Sequence, residues 1–162
     1  MKHKGILFVS QGAIIAALYV VLTMLANALG LANYPVQLRF SEALTVLPLF
    51  TGAAIPGLFV GCLISNILSG AVIWDVIFGS LATLIGAIGT YLLRRYKLLP
   101  LLPPIISNTL IVPFVLAYGY GIEGTIPFFM LTVGLGEAIS CGVLGYLLML
   151  VLRKNGKGIK WT

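Results

Sequence analysis

The sequence predicts an all-α integral membrane protein with six transmembrane helices and with both termini on the cytoplasmic side. Its 162 residues are 60% hydrophobic and only 9% charged, whereas roughly a quarter of the residues in a soluble domain are charged. Long stretches contain no charged side chain, and the Lys and Arg residues gather at the ends of these stretches. Uncharged apolar runs of this kind are typical of membrane spans.

The predicted spans form a single integral membrane domain, residues 1–162, and cover approximately residues 6–29, 40–51, 54–70, 75–94, 100–119 and 125–152. The second and third spans depend on how the uncharged stretch 43–74 is divided. This stretch is long for one crossing of about 20 residues and short for two. Because Pro48, Gly52 and Pro56 interrupt it near its first third, two shorter helices fit it best.

The distribution of basic residues supports six spans. With six spans and a cytoplasmic N-terminus, all Lys and Arg residues except Arg39 lie inside. With five spans, the basic cluster at 94–97 and the C-terminal one at 153–160 would lie outside. Lys and Arg collect in cytoplasmic loops, so six spans are favoured. Topology also explains the net charge of +6, because the basic residues do not form the aromatic-interleaved face of a nucleic-acid-binding protein.

The sequence lacks the residues that several catalytic and metal-binding sites require, so no enzyme activity, cofactor or metal is expected. The sequence contains no phosphate-binding loop with a Lys-Ser/Thr end, which excludes ATP hydrolysis by that route. The only histidine is His3 and the only aspartate is Asp75, which excludes a Ser-His triad within the membrane and an aspartyl dyad. Cys62 and Cys141 are interpreted as small packing residues.

Ionisable and amide side chains in or beside the spans are the candidate binding residues. Glu137 falls about midway along the last predicted span, where a carboxylate usually faces a cavity or a partner, although a neighbouring helix could also satisfy it. Arg39 and Glu42 are three residues apart and can pair if their segment is helical; a simple salt bridge at the membrane interface is the alternative. Asp75 begins the fourth predicted span at its outer end. Asn66 lies in the outer half of the third predicted span, toward the same side of the membrane as Asp75.

Small residues recur at helix-packing spacing at Ala13 and Ala17 in the first span and at Gly57 and Gly61 in the third. Pairs of this kind let two helix backbones approach closely. Packing within the molecule is one interpretation of both pairs. A partner protein could instead use the first pair.

Several segments resemble the queuosine-precursor transporter family, QueT. They are VQLRFSEALTVLPLF at 36–50, AIPGLFVGCLISN at 54–66, DVIFGSLATL at 75–84, NTLIVP at 108–113 and GEA at 136–138. The resemblance covers most of the chain, and its first three blocks are far more specific than generic apolar sequence.

The resemblance implies a substrate-binding S component of an energy-coupling factor transporter, with the six-helix bundle of that class, in a prokaryotic plasma membrane. Such components work with a transmembrane coupling protein and two ATPase subunits, and Ala13 and Ala17 are then expected on the face that meets the coupling protein. The implied substrate is a 7-deazaguanine base on the route to queuosine. The substrate-binding residues are then predicted to be Glu137, Glu42, Arg39, Asn66 and Asp75.

Three alternatives remain open at the level of sequence. The same fold could bind another vitamin or micronutrient, since a few pocket groups decide specificity. The chain could be a self-sufficient proton-coupled carrier that uses Glu137 as its proton relay. It could also be a structural or assembly protein that binds no small ligand.

Overall fold

The computed structural model describes residues 2–31 and 38–155, and all regular structure in these ranges is helical. The elements are α1 (Lys2–Ala28), a 3₁₀ helix (Phe40–Leu49), α2 (Ala54–Leu68), α3 (Ile73–Leu92), a short 3₁₀ turn (Leu99–Leu101), α4 (Leu102–Phe114), a first π-helical segment (Val115–Gly119), α5 (Ile126–Glu137), a second π-helical segment (Ala138–Leu144) and α6 (Gly145–Asn155).

These elements form six helical rods in the described part of the chain, which agrees with the predicted number of spans. The fifth rod runs from the short 3₁₀ turn through α4 to the first π-helical segment, and the sixth from α5 to α6. Four of the rods are long and apolar enough to cross a membrane, while the 3₁₀ helix and α2 are shorter apolar helices. The rods begin and end within a few residues of the predicted spans. The cytoplasmic location of both termini stays a prediction.

The 3₁₀ helix lies at the centre of the bundle. It packs against α1, α2, α3, α6 and the second π-helical segment, and most of its residues are buried, Glu42 among them. A 3₁₀ helix rises about 2.0 Å per residue, so these ten residues extend over ~20 Å. Glu42 is the third residue of this helix, and only 1% of its surface is exposed.

The surface of the bundle is apolar, and many of its polar side chains are inside. Large side chains such as Ile6, Val9 and Leu131 are exposed to more than half of their area, whereas Thr83, Thr90 and others are fully buried. This distribution fits a lipid environment, in which polar groups must be satisfied within the protein.

Glycines on α2 let this helix approach α1 very closely. A Cβ atom added at Gly57 would lie 2.7 Å from the backbone oxygen of Gly12, and one at Gly61 would lie 2.8 Å from Cβ of Tyr19. The small-residue pair in the third span therefore serves packing within the molecule. Ala13 and Ala17 behave differently, because both are exposed on the opposite side of α1.

Glycines end the helices α1 and α2, and the second of these ends lies close in sequence to Asp75. Gly30 and Gly70 follow α1 and α2 with φ angles of 72° and 68°, a conformation that glycine adopts without strain. Each is followed by a backbone bond that closes a Schellman motif, as from Leu31 N to Ala26 O at 3.0 Å. Asp75 follows shortly after the second of these ends, at the start of α3.

Replacing Gly57 with alanine should destabilise the protein. The new Cβ would meet the backbone of α1, so the two helices must separate, and overpacking of this kind costs roughly 1–3 kcal/mol. Thermal unfolding of the purified protein in detergent should show a lower Tm for Gly57→Ala. The matched control is Gly5→Ala, because no atom lies within 4 Å of its added Cβ. Equal Tm values for the two variants would contradict the close packing of α1 and α2.

Candidate substrate-binding site

Two buried carboxylates from distant parts of the chain meet in the interior. Glu42 comes from the 3₁₀ helix and Glu137 from the last residue of α5, and they are 1% and 7% exposed. Oxygen atoms of both carboxylates and Sγ of Cys141 lie within 4.8 Å of one another. These three residues are called the carboxylate cluster.

Neutral donors from three other elements surround the carboxylates of Glu42 and Glu137. The Tyr19 hydroxyl on α1 donates a hydrogen bond to Glu42 Oε1. The Cys141 thiol lies 3.1 Å from Oε2 of Glu137, to which it donates. The side chain of Asn108 on α4 interacts with both carboxylates. Buried polar groups require such partners, and here the partners come from α1, α4 and the second π-helical segment.

Side chains of the second π-helical segment, within the last rod, contact the 3₁₀ helix and the residue before it. Its wider turn, a feature often found at functional sites, contains Ser140 and Cys141. The backbone N–H of Arg39 donates to Ser140 Oγ at 3.3 Å. Cys141 Sγ lies 3.4 Å from Thr45 Oγ1 and 3.5 Å from the backbone oxygen of Glu42. The segment thereby fixes the position of Glu42 relative to Glu137.

Arg39 pairs with Asp75, whereas its spacing of three residues from Glu42 had suggested Glu42 as the partner. The distance from Arg39 Nη2 to Asp75 Oδ2 is 3.7 Å, and the Tyr120 hydroxyl donates to the same oxygen at 3.0 Å. Glu42 meets the Tyr19 hydroxyl within the carboxylate cluster. Arg39 and Asp75 then form a second polar group beside the first.

The charges of Arg39 and Asp75 support each other and act on their neighbours. Burial opposes the charge of Arg39, but the nearby acidic groups, with Asp75 the strongest of them, together outweigh burial and raise the pKa of the guanidinium above its ordinary value. Burial and the Asp75 charge also raise the pKa of Tyr120 to about 12. Tyr120 therefore remains a protonated donor at neutral pH.

One oxygen of Asp75 has no hydrogen-bond partner among the residues that the structure describes. Asp75 is 4% exposed, and its Oδ1 is buried without a hydrogen bond. The amide of Asn66 donates to the backbone oxygen of Asp75 at 3.2 Å. Gly79 leaves room for this arrangement, since a Cβ there would lie 2.6 Å from Oδ1. A buried acceptor without a partner is available to a ligand.

The five residues predicted for substrate binding thus fall into two adjoining groups, Glu42 with Glu137 and Arg39 with Asp75 and Asn66. Their role in substrate binding stays a prediction. The two residues predicted for partner binding, Ala13 and Ala17, lie elsewhere, on the exposed face of α1.

Sequence reasoning missed several members of the site. Asn108 was not among the predicted binding residues, yet its side chain interacts with both carboxylates. Cys141 is more than a packing residue because its thiol contacts the cluster, whereas Cys62 does belong to the main hydrophobic core. Tyr19 and Tyr120 gave no distinct signal, because tyrosines are common near membrane boundaries. The polar amide of Asn108 within an apolar span was the one available signal.

The carboxylate cluster is also the one group in the described part of the chain with ligand atoms arranged to hold a metal ion. Its donor set mixes two hard carboxylates with one soft sulfur, which no single common metal prefers. The thiol must also lose its proton to bind a metal, whereas here it donates to Glu137. The arrangement suits a hydrogen-bonded polar site better than a metal centre.

Apolar rods around a buried, highly polar cluster define a multi-pass protein of the cell membrane. Comparison with known families makes this more specific. The chain belongs to the QueT transporter family, whose model matches residues 9–154. It is therefore a membrane transport protein. Comparisons with curated proteins and with solved structures gave no match.

Replacing Tyr19 with phenylalanine should destabilise the protein by about 1–3 kcal/mol, because a buried carboxylate loses its hydroxyl donor. Thermal unfolding in detergent measures the effect as a lower Tm. Tyr118→Phe is the matched control, since Tyr118 is 79% exposed. If Tyr19→Phe and Tyr118→Phe unfolded at the same temperature, the hydroxyl of Tyr19 would not be needed by Glu42.

Proposed function

We propose that this protein is the substrate-binding S component of an energy-coupling factor importer and captures a queuosine precursor, a 7-deazaguanine base, at the outer face. The observation that carries the proposal is the buried pair of carboxylates, Glu42 and Glu137, in a chain of the QueT transporter family. The sequence has no phosphate-binding loop of its own. Separate ATPase subunits must then supply the energy for uptake.

The chemistry of the two polar groups supports a guanine-like ligand. The edge of such a base presents neighbouring N–H donors, and a carboxylate offers two acceptor oxygens to them. Glu42 or Glu137 accepts this edge, while Arg39 and Asn66 orient the carbonyl or a ring nitrogen. Asp75 meets an exocyclic amine of the base. The amine donates a hydrogen bond to Oδ1, which has no hydrogen-bond partner among the described residues.

The proposed topology places the Arg39 and Asp75 end of the bundle outside the cell and both termini in the cytoplasm. The basic residues support this orientation. The turn after α3 carries Arg94, Arg95 and Lys97, and the last turn of α6 carries Arg153 and Lys154. Such residues collect on the cytoplasmic side. The substrate then enters from the end where Arg39 lies.

The proposed partners are a transmembrane coupling protein and two ATPase subunits. Ala13 and Ala17 are exposed on α1, and small residues at this spacing admit a second helix at close range. Because α2 covers the side of α1 that carries Gly12, the alanine face remains available. It is assigned to the coupling protein.

A proton-coupled carrier is the second candidate, and the closeness of the two carboxylates favours it. Two carboxylates that lie close together in a low-dielectric interior can share a proton, which is what a proton relay requires. Uptake that stops when the proton gradient collapses, but continues without the ATPase subunits, would support this candidate over an S component.

A deazaguanine base should stabilise the purified protein against heat. A ligand that binds only the folded state at 100 times its Kd adds about 2.7 kcal/mol, so Tm should rise with deazaguanines but not with guanine, riboflavin, thiamine or biotin. Glu42→Gln and Glu137→Gln should each reduce the shift. A selective shift with another vitamin would retain the fold and reject this substrate.

Large side chains at Ala13 and Ala17 should prevent assembly with the coupling protein. Both positions are exposed, so Ala13→Trp and Ala17→Trp should fold with an unchanged Tm. Co-purification with the coupling protein should fall at least ~tenfold, because close helix packing depends on small residues. Leu131→Trp, on the exposed face of α5, is the control. Equal co-purification of all three variants would place the partner interface elsewhere.

A further inference from the structure

A basic turn follows α3 at the end of the bundle opposite to Asp75. The twenty residues of α3 rise about 1.5 Å each and extend over ~30 Å, which is the thickness of the hydrocarbon core of a bilayer. Asp75 lies in the first turn of this helix, whereas Arg94, Arg95 and Lys97 follow its last turn. The three basic residues therefore lie at the level of the lipid headgroups on the other side of the membrane.

The end of α3 and the basic turn enclose a cavity of about 330 Å³. Its lining residues are Tyr91, Leu92, Arg94, Arg95 and Tyr96. Cζ of Arg94 lies 4.1 Å from the centre of the Tyr91 ring, which is a cation–π contact. A guanidinium that stacks on a ring presents its N–H groups at its edge, where they can donate to a phosphate. This space is called the basic cavity.

The acidic side chains of the protein are placed away from the basic cavity. The sequence contains ten Lys and Arg residues but only four Asp and Glu residues. Glu42, Asp75 and Glu137 are buried in the interior, and Glu123 comes shortly after Tyr120, whose hydroxyl meets Asp75 at the other end of α3. None of the four acidic residues falls between positions 76 and 122. A negative group from outside the chain therefore suits the two arginines of the cavity.

Exposed leucines flank the same basic residues. Leu92, which lines the basic cavity, and Leu98, which follows the basic turn, are both exposed to more than half of their area. Leucines exposed on a membrane protein at this depth can contact acyl chains. The cavity thus combines charged and hydroxyl donors with apolar surface. A soluble phosphate would use only the donors, whereas a phospholipid would use both.

We propose that the basic cavity binds the headgroup of an anionic phospholipid such as phosphatidylglycerol. Arg94 and Arg95 donate to the phosphate oxygens, and the hydroxyl of Tyr96 donates to an oxygen of the headgroup. The acyl chains lie against Leu92 and Leu98. Basic pockets between membrane helices bind anionic headgroups in the same way. Phosphatidylcholine has the same phosphate, but its trimethylammonium group is repelled by the arginines. This site is separate from the carboxylate cluster and from the substrate.

Two lipids with the same acyl chains but different net charge test the site. The full chain is purified in a neutral detergent, freed of lipid and titrated with phosphatidylglycerol or with phosphatidylcholine, and native mass spectrometry measures the bound lipid. Phosphatidylglycerol should bind about tenfold to thirtyfold more tightly, because each Lys or Arg near anionic lipid contributes roughly a factor of five.

Paired variants separate the basic cavity from a general attraction of basic residues to lipid. Arg94→Gln combined with Arg95→Gln should remove most of the preference for phosphatidylglycerol. Arg153→Gln combined with Lys154→Gln removes the same charge from the last turn of α6, outside the cavity, and should retain the preference. The ratio of the two lipid affinities is compared within each variant, so a general loss of stability does not imitate the effect.

Variants of Tyr91 test whether its ring positions Arg94. Tyr91→Phe keeps the ring and should retain the preference for phosphatidylglycerol. Tyr91→Leu removes the ring and should reduce the preference about twofold to fivefold, which is the factor expected for a cation–π contact at an exposed site. Equal preferences in these two variants would overturn the role of the ring.

The contrary results are distinct. Equal binding of the two lipids by the parent protein would overturn the proposal, and an equal loss in both double variants would show general attraction in place of a built cavity. Inorganic phosphate that raised Tm as much as phosphatidylglycerol does would reject a lipid in favour of a soluble anion. Loss of co-purification with the ATPase subunits in the variant of Arg94 and Arg95, without any lipid preference in the parent, would assign the cavity to an acidic protein surface. All four results would leave the binding of a deazaguanine unaffected.

Discussion

The burial of Glu42 and Glu137 beside each other is the constraint on which the rest of the interior depends. An ionised carboxylate removed from water costs several kcal/mol unless it is compensated. Compensation comes from α1 through Tyr19 and from α4 through Asn108, and Cys141 follows Glu137 by one turn. Each donor fixes one element against the 3₁₀ helix. The polar cluster therefore specifies how the apolar rods are arranged, which apolar packing within a lipid environment does only weakly.

Irregular helices surround this cluster for a related reason. The 3₁₀ helix carries Glu42, and a π-helical segment follows Glu137 at once. Both have less favourable hydrogen-bond geometry than an α-helix, and here each directs polar groups to the same point, as with Thr45 and Cys141.

The sequence was sufficient for the rods and for the charged members of the site, but not for their pairing. Apolar runs and the placement of Lys and Arg determined the number of spans, because both reflect the bilayer directly. The carboxylates stood out as charges in apolar sequence. The ion pair of Arg39 with Asp75 was not predicted, since spacing along the chain pointed to Glu42 and only the fold brings Asp75 from α3 to Arg39. Neutral donors such as Tyr19 were missed because only the packing of α1 on α2 decides which face is buried.

The relation between the two polar groups bears on how a transporter of this fold selects its substrate. A six-helix bundle does not define a ligand by itself. In the described ranges the guanidinium of Arg39 lies 3.7 Å from the carboxylate of Asp75, while Glu42 and Glu137 interact with the side chains of Tyr19, Cys141 and Asn108. Selectivity in such a bundle therefore depends on how a few polar side chains are arranged, more than on the helices that carry them.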